Sequence, residues 1–219
     1  MKKLDLEKKA LKYSTIVGSV AAFAGTAGAQ IVYTDVNPDE TYTEDQLYLL
    51  DMDNDLAPDF GIVQFDTVIT YSYITFYNEG VVLLTMGSNG AISTAGSLAT
   101  YLKALNLNDP IDNTQTFDQS TSSTPLIAGG YVTSALGSQG IGPWIDGADH
   151  YMGVTFLIGA NMHFGWARFS ESTDGLTFTI KDYAYESTPG GSILAGQAFN
   201  SINENVADAV SMQVINNSV

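Results

Sequence analysis

Cysteine is absent from the 219 residues, and cations are scarce: eight Lys and Arg stand against 24 Asp and Glu, with only two His. The missing cysteine excludes disulfides, thiolate metal sites and a cysteine nucleophile. The shortage of cations argues against a nucleic-acid partner, because a strongly acidic surface repels phosphate. His150 and His163 lack the close spacing of zinc ligands. No apolar run reaches the roughly 20 residues that a membrane-spanning helix needs. There is no Gly-x-Ser-x-Gly elbow, phosphate-cradling glycine loop or His-Glu-x-x-His helix. The stretch Met86-Gly87-Ser88-Asn89-Gly90 reads only as a turn, and no catalytic residue is assigned.

What is present begins with an export pattern. Lys2, Lys3, Lys8, Lys9 and Lys12 form a basic opening, residues 16–24 are apolar and small, and Ala27-Gly28-Ala29 offers a cleavage site before Gln30. Residues 1–29 are therefore read as a signal peptide, placing the mature chain outside the cell or on its outer surface. Removing them leaves Lys103, Arg168 and Lys181 against 22 acids, a net charge near −19. Such a surface stays soluble and attracts divalent cations.

Residues 30–198 suit one domain with a sizeable core, followed by an Asn-rich tail at 199–219. Short runs of Tyr, Thr, Val, Ile and Phe, separated by Gly, Asn, Asp, Ser and Pro, predict strands and turns. Strands are expected to open at Ile31-Val32-Tyr33 and to occupy 46–50, 60–65, 67–77, 81–86, 153–158, 163–170 and 176–183. Asn78-Glu79-Gly80 is read as a hairpin turn, and so is Asp174-Gly175, a pair that favours positive φ. One short helix is expected, capped by Ser93 or Thr94, with Leu98, Tyr101, Leu102 and Leu105 on one face. Residues 106–125 read as a surface loop. The class that follows is all-β, an antiparallel β-sandwich of jelly-roll or lectin-like type.

The sharpest motif is Asp51-Met-Asp53-Asn-Asp55-Leu-Ala-Pro-Asp59-Phe60. Carboxylates at positions 1, 3, 5 and 9 have the spacing by which a loop wraps oxygen ligands around Ca²⁺, with the Ala57 carbonyl as a further ligand. Hard oxygen donors without His or Cys favour calcium over zinc or copper. The loop is not an EF-hand, since Ile62 stands where the bidentate Glu belongs. Leu56 occupies the position usually held by Gly.

Trp144 and Asp146 sit in the segment Gly142-Pro-Trp-Ile-Asp-Gly147, where an exposed aromatic beside a carboxylate would suit sugar stacking. Trp166 alternates with Phe164 and is expected in the core. Arg168 is expected to pair with Glu171 or Asp182.

The block His163-Phe-Gly-Trp166-Ala-Arg168, then Phe178-Thr-Ile-Lys-Asp-Tyr183-Ala-Tyr-Glu186, Thr188-Pro-Gly and Ile193-Leu-Ala-Gly196 resembles a family of secreted bacterial proteins. That family's form is roughly YGW-x-R, DYAYE and PG-x-x-I-x-AG, and many members end in PEP-CTERM-type or type IX sorting tails. Tyr33-Thr-Asp35, Pro38-Asp39 and residues 51–60 are similar to its opening. The resemblance implies secretion and names no chemistry. Asn203-Glu204-Asn205 looks like the lead-in to a type IX tail, although the Tyr-Pro-Asn-Pro block is missing.

The function expected from these features is a secreted or cell-surface, non-catalytic protein with a structural calcium loop, its partner an extracellular glycan or cell-surface component. A lectin-like glycan-binding module is the second reading. A polysaccharide-active hydrolase using two of the acids is the third.

Overall fold

The computed structural model describes residues 30–71, 74–96, 99–121 and 125–199. The signal segment 1–29, all but Phe199 of the tail, and Leu98 of the expected helix lie outside these residues.

The described chain is all-β. Its strands are β1 (Ile31–Tyr42), β2 (Leu47–Leu50), β3 (Phe60–Tyr71), β4 (Ile74–Thr85), β5 (Gly90–Ala95), β6 (Thr100–Leu102) and β7 (Pro110–Ile111). They continue as β8 (Phe117–Asp118), β9 (Leu126–Ser134), β10 (Gly137–Ile141), β11 (Asp149–Ile158), β12 (Asn161–Glu171), β13 (Phe178–Glu186) and β14 (Ile193–Leu194). Where two separate sheets were expected, one hydrogen-bonded path runs β1-β13-β12-β11-β5-β6-β9-β4-β3-β2. β5 joins the two halves, and the β6–β9 pairing is parallel. The sheet curls until its two edges almost meet, a nearly closed barrel. Its edge strands are consecutive in sequence, and the Tyr42 and Tyr48 rings meet at 5.5 Å across the seam.

Apolar residues on both faces of β12 explain how the sheet is packed. Ala167 and Phe169 point into the barrel with Leu50, Phe60, Val81, Val154 and Ile180. Phe164 and Trp166 point outward into a second cluster with Leu105, Ile111, Ala184 and Ile193. The small β7–β14 sheet supplies that outer cover. Trp166 is thus buried as expected, and its Nε1–H donates to the Gln197 carbonyl at 3.1 Å.

The expected helix is a correction. Ser93 and Thr94 lie in β5, opposite Leu102 and Tyr101 of β6. Leu102 enters the inner core and Leu105 the outer one, so no single face collects them, and period two prevails over 3.6. The hairpin turn at Asn78-Glu79-Gly80 is a second correction. Those residues lie inside β4, and the β3–β4 hairpin turns after Tyr71, which faces Ile74. Gly80 is required for another reason. A Cβ on it would sit 2.2 Å from the Gly129 carbonyl oxygen and 2.8 Å from Gly130 Cα, where β4 crosses β9. The expected 106–125 loop contains β7 and β8, and its Ile111 is buried. Asp174-Gly175 is a turn between β12 and β13, with Gly175 at φ 73°.

Arg168 pairs with Asp182 rather than Glu171. Its Nε and Nη2 donate to the two carboxylate oxygens at 2.8 and 2.7 Å, and Asp182 is 4 % exposed. Removing one partner of a buried ion pair leaves an uncompensated charge. Arg168→Met is therefore expected to destabilise the fold by about 3 kcal/mol, read from urea unfolding. An unchanged midpoint would contradict that role.

Candidate metal centre

Residues 51–59 connect β2 to β3 and close the barrel at one end. Met52 is fully buried and dips into the barrel against Gly165, where a Cβ would lie 2.7 Å from Met52 Cε. The loop's neck is held by the Asp59 N–H, which donates to the Leu50 carbonyl at 2.9 Å.

Asp59 is the anchor. Its Oδ2 accepts the Met52 N–H at 2.9 Å and its Oδ1 accepts the Asn89 side-chain amide at 2.9 Å. Asn89 Oδ1 in turn accepts the Leu157 N–H at 3.2 Å. The loop is thereby tied to the β4–β5 turn and to β11. Asn89 went unmarked in the sequence, where its segment reads only as a turn. An amide beside a strand start gives no local sign of a partner thirty residues away.

At the tip, Asp51 Oδ2 accepts the Leu56 N–H at 2.8 Å and Oδ1 the Asp55 N–H at 3.2 Å. Asp53 Oδ1 also accepts the Asp55 N–H, and Asp55 Oδ1 accepts the Ala57 N–H at 2.8 Å. Asn54 and Leu56 are left-handed, with φ of 61° and 76°. Asn tolerates that conformation. Leu56 is 87 % exposed, so no burial offsets the roughly 1 kcal/mol it costs.

The outcome is a carboxylate group made of Asp51, Asp53 and Asp59, one oxygen of each lying within 4.8 Å of the others. Calcium binds oxygens at about 2.4 Å, so ligands on opposite sides of one ion lie about 4.8 Å apart. The donor set is hard oxygen throughout, which fits calcium rather than a softer metal. Asp55 is not one of the three, and its Oδ1 accepts the Ala57 N–H.

Electrostatics sharpen the arrangement. Burial pushes the Asp59 carboxyl up to about 6, although the Met52 N–H and Asn89 pull it back. Asp53 is also raised, first by burial and then by the charge of Asp55. Among the described residues the ion pairs join His150, Arg168 and Lys181 to Asp146, Asp149 and Asp182, and none reaches this loop.

The proposed sugar platform is not assembled. Trp144 is fully buried, stacked on Phe169 with centroids 3.9 Å apart, and its Nε1–H donates to the Leu102 carbonyl at 3.0 Å. Its indole offers no face to a ligand. Asp146 is exposed and accepts hydrogen bonds from the Ala148 N–H and His150 Nε2.

In cation-free buffer the native state holds a proton on Asp59 between about pH 4 and 6 that the unfolded chain releases. Stability contributed by that proton is lost as pH rises through this window, at about 1.4 kcal/mol per pH unit. Urea midpoints should therefore fall more steeply between pH 4 and 6 in the natural chain than in Asp59→Asn. Equal slopes would refute the assignment.

The chain matches no known family model, and no curated protein or solved structure is significantly similar to it.

Proposed function

We propose that this chain is a secreted or cell-surface, non-catalytic protein whose barrel end is fastened by one calcium ion on Asp51, Asp53 and Asp59. The observation that carries the reading is the convergence of three carboxylates within 4.8 Å, one of them only 8 % exposed, with no cation among the described residues paired to them. Unscreened repulsion among such groups opposes the very loop conformation that Met52 and Asn89 enforce. A divalent cation converts that repulsion into attraction. Its role is to stabilise, because the Asp59 oxygens are committed to Met52 and Asn89 and hold the loop in place.

Export is supported by the basic opening, the apolar stretch and the Ala27-Gly28-Ala29 site, together with the resemblance to secreted bacterial proteins carried by residues 163–196. The partner is a component of the cell exterior. Burial of Trp144 removes the principal feature of the glycan-binding reading.

Calcium at a hundred times its dissociation constant should add about 2.7 kcal/mol. For a domain of this size, the melting temperature should then rise by about 5–10 °C over the EDTA-treated protein. Asp53→Ala should melt like the stripped protein and respond little to added calcium. A melting curve indifferent to both calcium and EDTA would refute the reading.

A further inference from the structure

The other end of the barrel holds a carboxyl group that the calcium reading does not use. Glu171 ends β12, whereas the aspartate loop is tied to Leu157, next to the turn where that strand begins. The Glu171 side chain is fully buried, and neither oxygen has a hydrogen-bond partner among the described residues. It lies over Gly129 and beside Ile145: a Cβ on Gly129 would be 2.7 Å from both Glu171 Oε2 and Ile145 Cγ2. Its cross-strand neighbour on β13 is Phe178, also fully buried.

Immediately beyond Glu171, residues 172–177 form a self-contained turn. The Ser172 N–H donates to the Thr177 carbonyl at 2.9 Å, and Asp174 Oδ1 accepts the Ser172 hydroxyl and the Leu176 N–H. The turn is folded down on the sheet by two side-chain hydrogen bonds. Tyr131 Oη–H donates to the Thr173 carbonyl at 2.7 Å, and Gln64 Nε2–H donates to the Gly175 carbonyl at 3.3 Å. Gly175 itself packs on Gly130 and Tyr131.

We propose that residues 172–177 are a pH-released clasp over this end of the barrel, closed while Glu171 is protonated and freed when it ionises. Ionising a carboxyl among Gly129, Ile145 and Phe178 is costly unless the turn lifts and water reaches it. Charged groups facing the clasp add to the release. Asp66 on β3 stands directly opposite Glu79 on β4, and Asp174 is carried on the clasp itself. Burial, then Asp66, then Asp174 raises the Glu79 carboxyl, so Glu79 repels both Asp66 and the Asp174 of the clasp. Burial pushes the Glu171 carboxyl up to about 8, with no charge among the described residues contributing.

The direction with pH follows from proton binding. The closed form keeps a proton that a hydrated glutamate gives up near pH 4.3, so closure is fully favoured below that value. The ratio of closed to open clasp then falls about ten-fold per pH unit from about pH 5 to 8, and levels off above.

Amide hydrogen exchange on the full chain tests this, with rates corrected for the chemical pH dependence and referred to the centre of β11 and β12. In the natural chain the opening constant of residues 172–177 should rise about ten-fold per pH unit between pH 5 and 8. In Glu171→Gln it should stay flat, while Tyr131→Phe should open more at every pH with the slope intact. Carbon-13 titration of the natural chain, which needs no variant, should place the Glu171 midpoint above the ordinary glutamate range and below the closed-form value of about 8, because opening is coupled to proton loss. A Glu171 midpoint in the ordinary range of about 4–5, or an undiminished slope in Glu171→Gln, would overturn the proposal.

Discussion

The structure turns on the commitment of Asp59. Its carboxylate must accept the Met52 N–H and the Asn89 amide for residues 51–59 to lower Met52 into the barrel and close it. A hydrogen bond to a charged group contributes about 1.5–3 kcal/mol. Two unit charges about 4 Å apart near a protein surface repel by about 4 kcal/mol. With Asp51 and Asp53 drawn within 4.8 Å of Asp59, the anchors and the repulsion are of the same size. The closed barrel end is therefore marginal without either a proton or a cation. A proton on Asp59 serves only in acid, and at neutral pH the proposed calcium ion would take over that role.

The remainder of the sheet tolerates this because it is braced on both sides. β12 buries Ala167 and Phe169 within the barrel and Phe164 and Trp166 under the β7–β14 cover, so its position does not depend on the loop. The barrel's seam is closed by side chains instead of backbone pairing. Tyr42 stacks on Phe178 with centroids 5.1 Å apart and meets Tyr48 edge-on across the gap. The two barrel ends thus differ in kind. One gathers three carboxylates, and the other buries a single acid without a hydrogen-bond partner among the described residues.

Much of the strand content was legible from alternation. β11, β12 and β13 and the Asp174-Gly175 turn stand close to where composition and turn chemistry place them, because each rests on local preferences. The misreadings share one cause, a local signal overruled by distant contacts. Asn78-Glu79-Gly80 has turn composition, but Gly80 answers to the approach of Gly129 and Gly130 some fifty residues away. Leu102 and Leu105 have helical spacing but are drawn into opposite cores. Trp144, between Pro143 and Ile145, reads as loop-exposed, yet Phe169 and the Leu102 carbonyl capture it. In the acidic loop the spacing picked out Asp51, Asp53 and Asp59, whose carboxylate oxygens converge. It also included Asp55, whose Oδ1 accepts the Ala57 N–H, and gave no hint of Asn89. Glu171 looked like an ion-pair partner for Arg168. By strand alternation it shares the inward face of Ala167 and Phe169, the opposite face from Arg168, and is therefore isolated from that cation.

Titration calorimetry with calcium on the EDTA-stripped protein tests the central claim most directly. The account predicts one ion bound per chain at neutral pH, proton release on binding when the titration is repeated at about pH 5, and loss of the binding event in Asp59→Asn. Absence of calcium binding by the natural chain, or undiminished binding by Asp59→Asn, would contradict it.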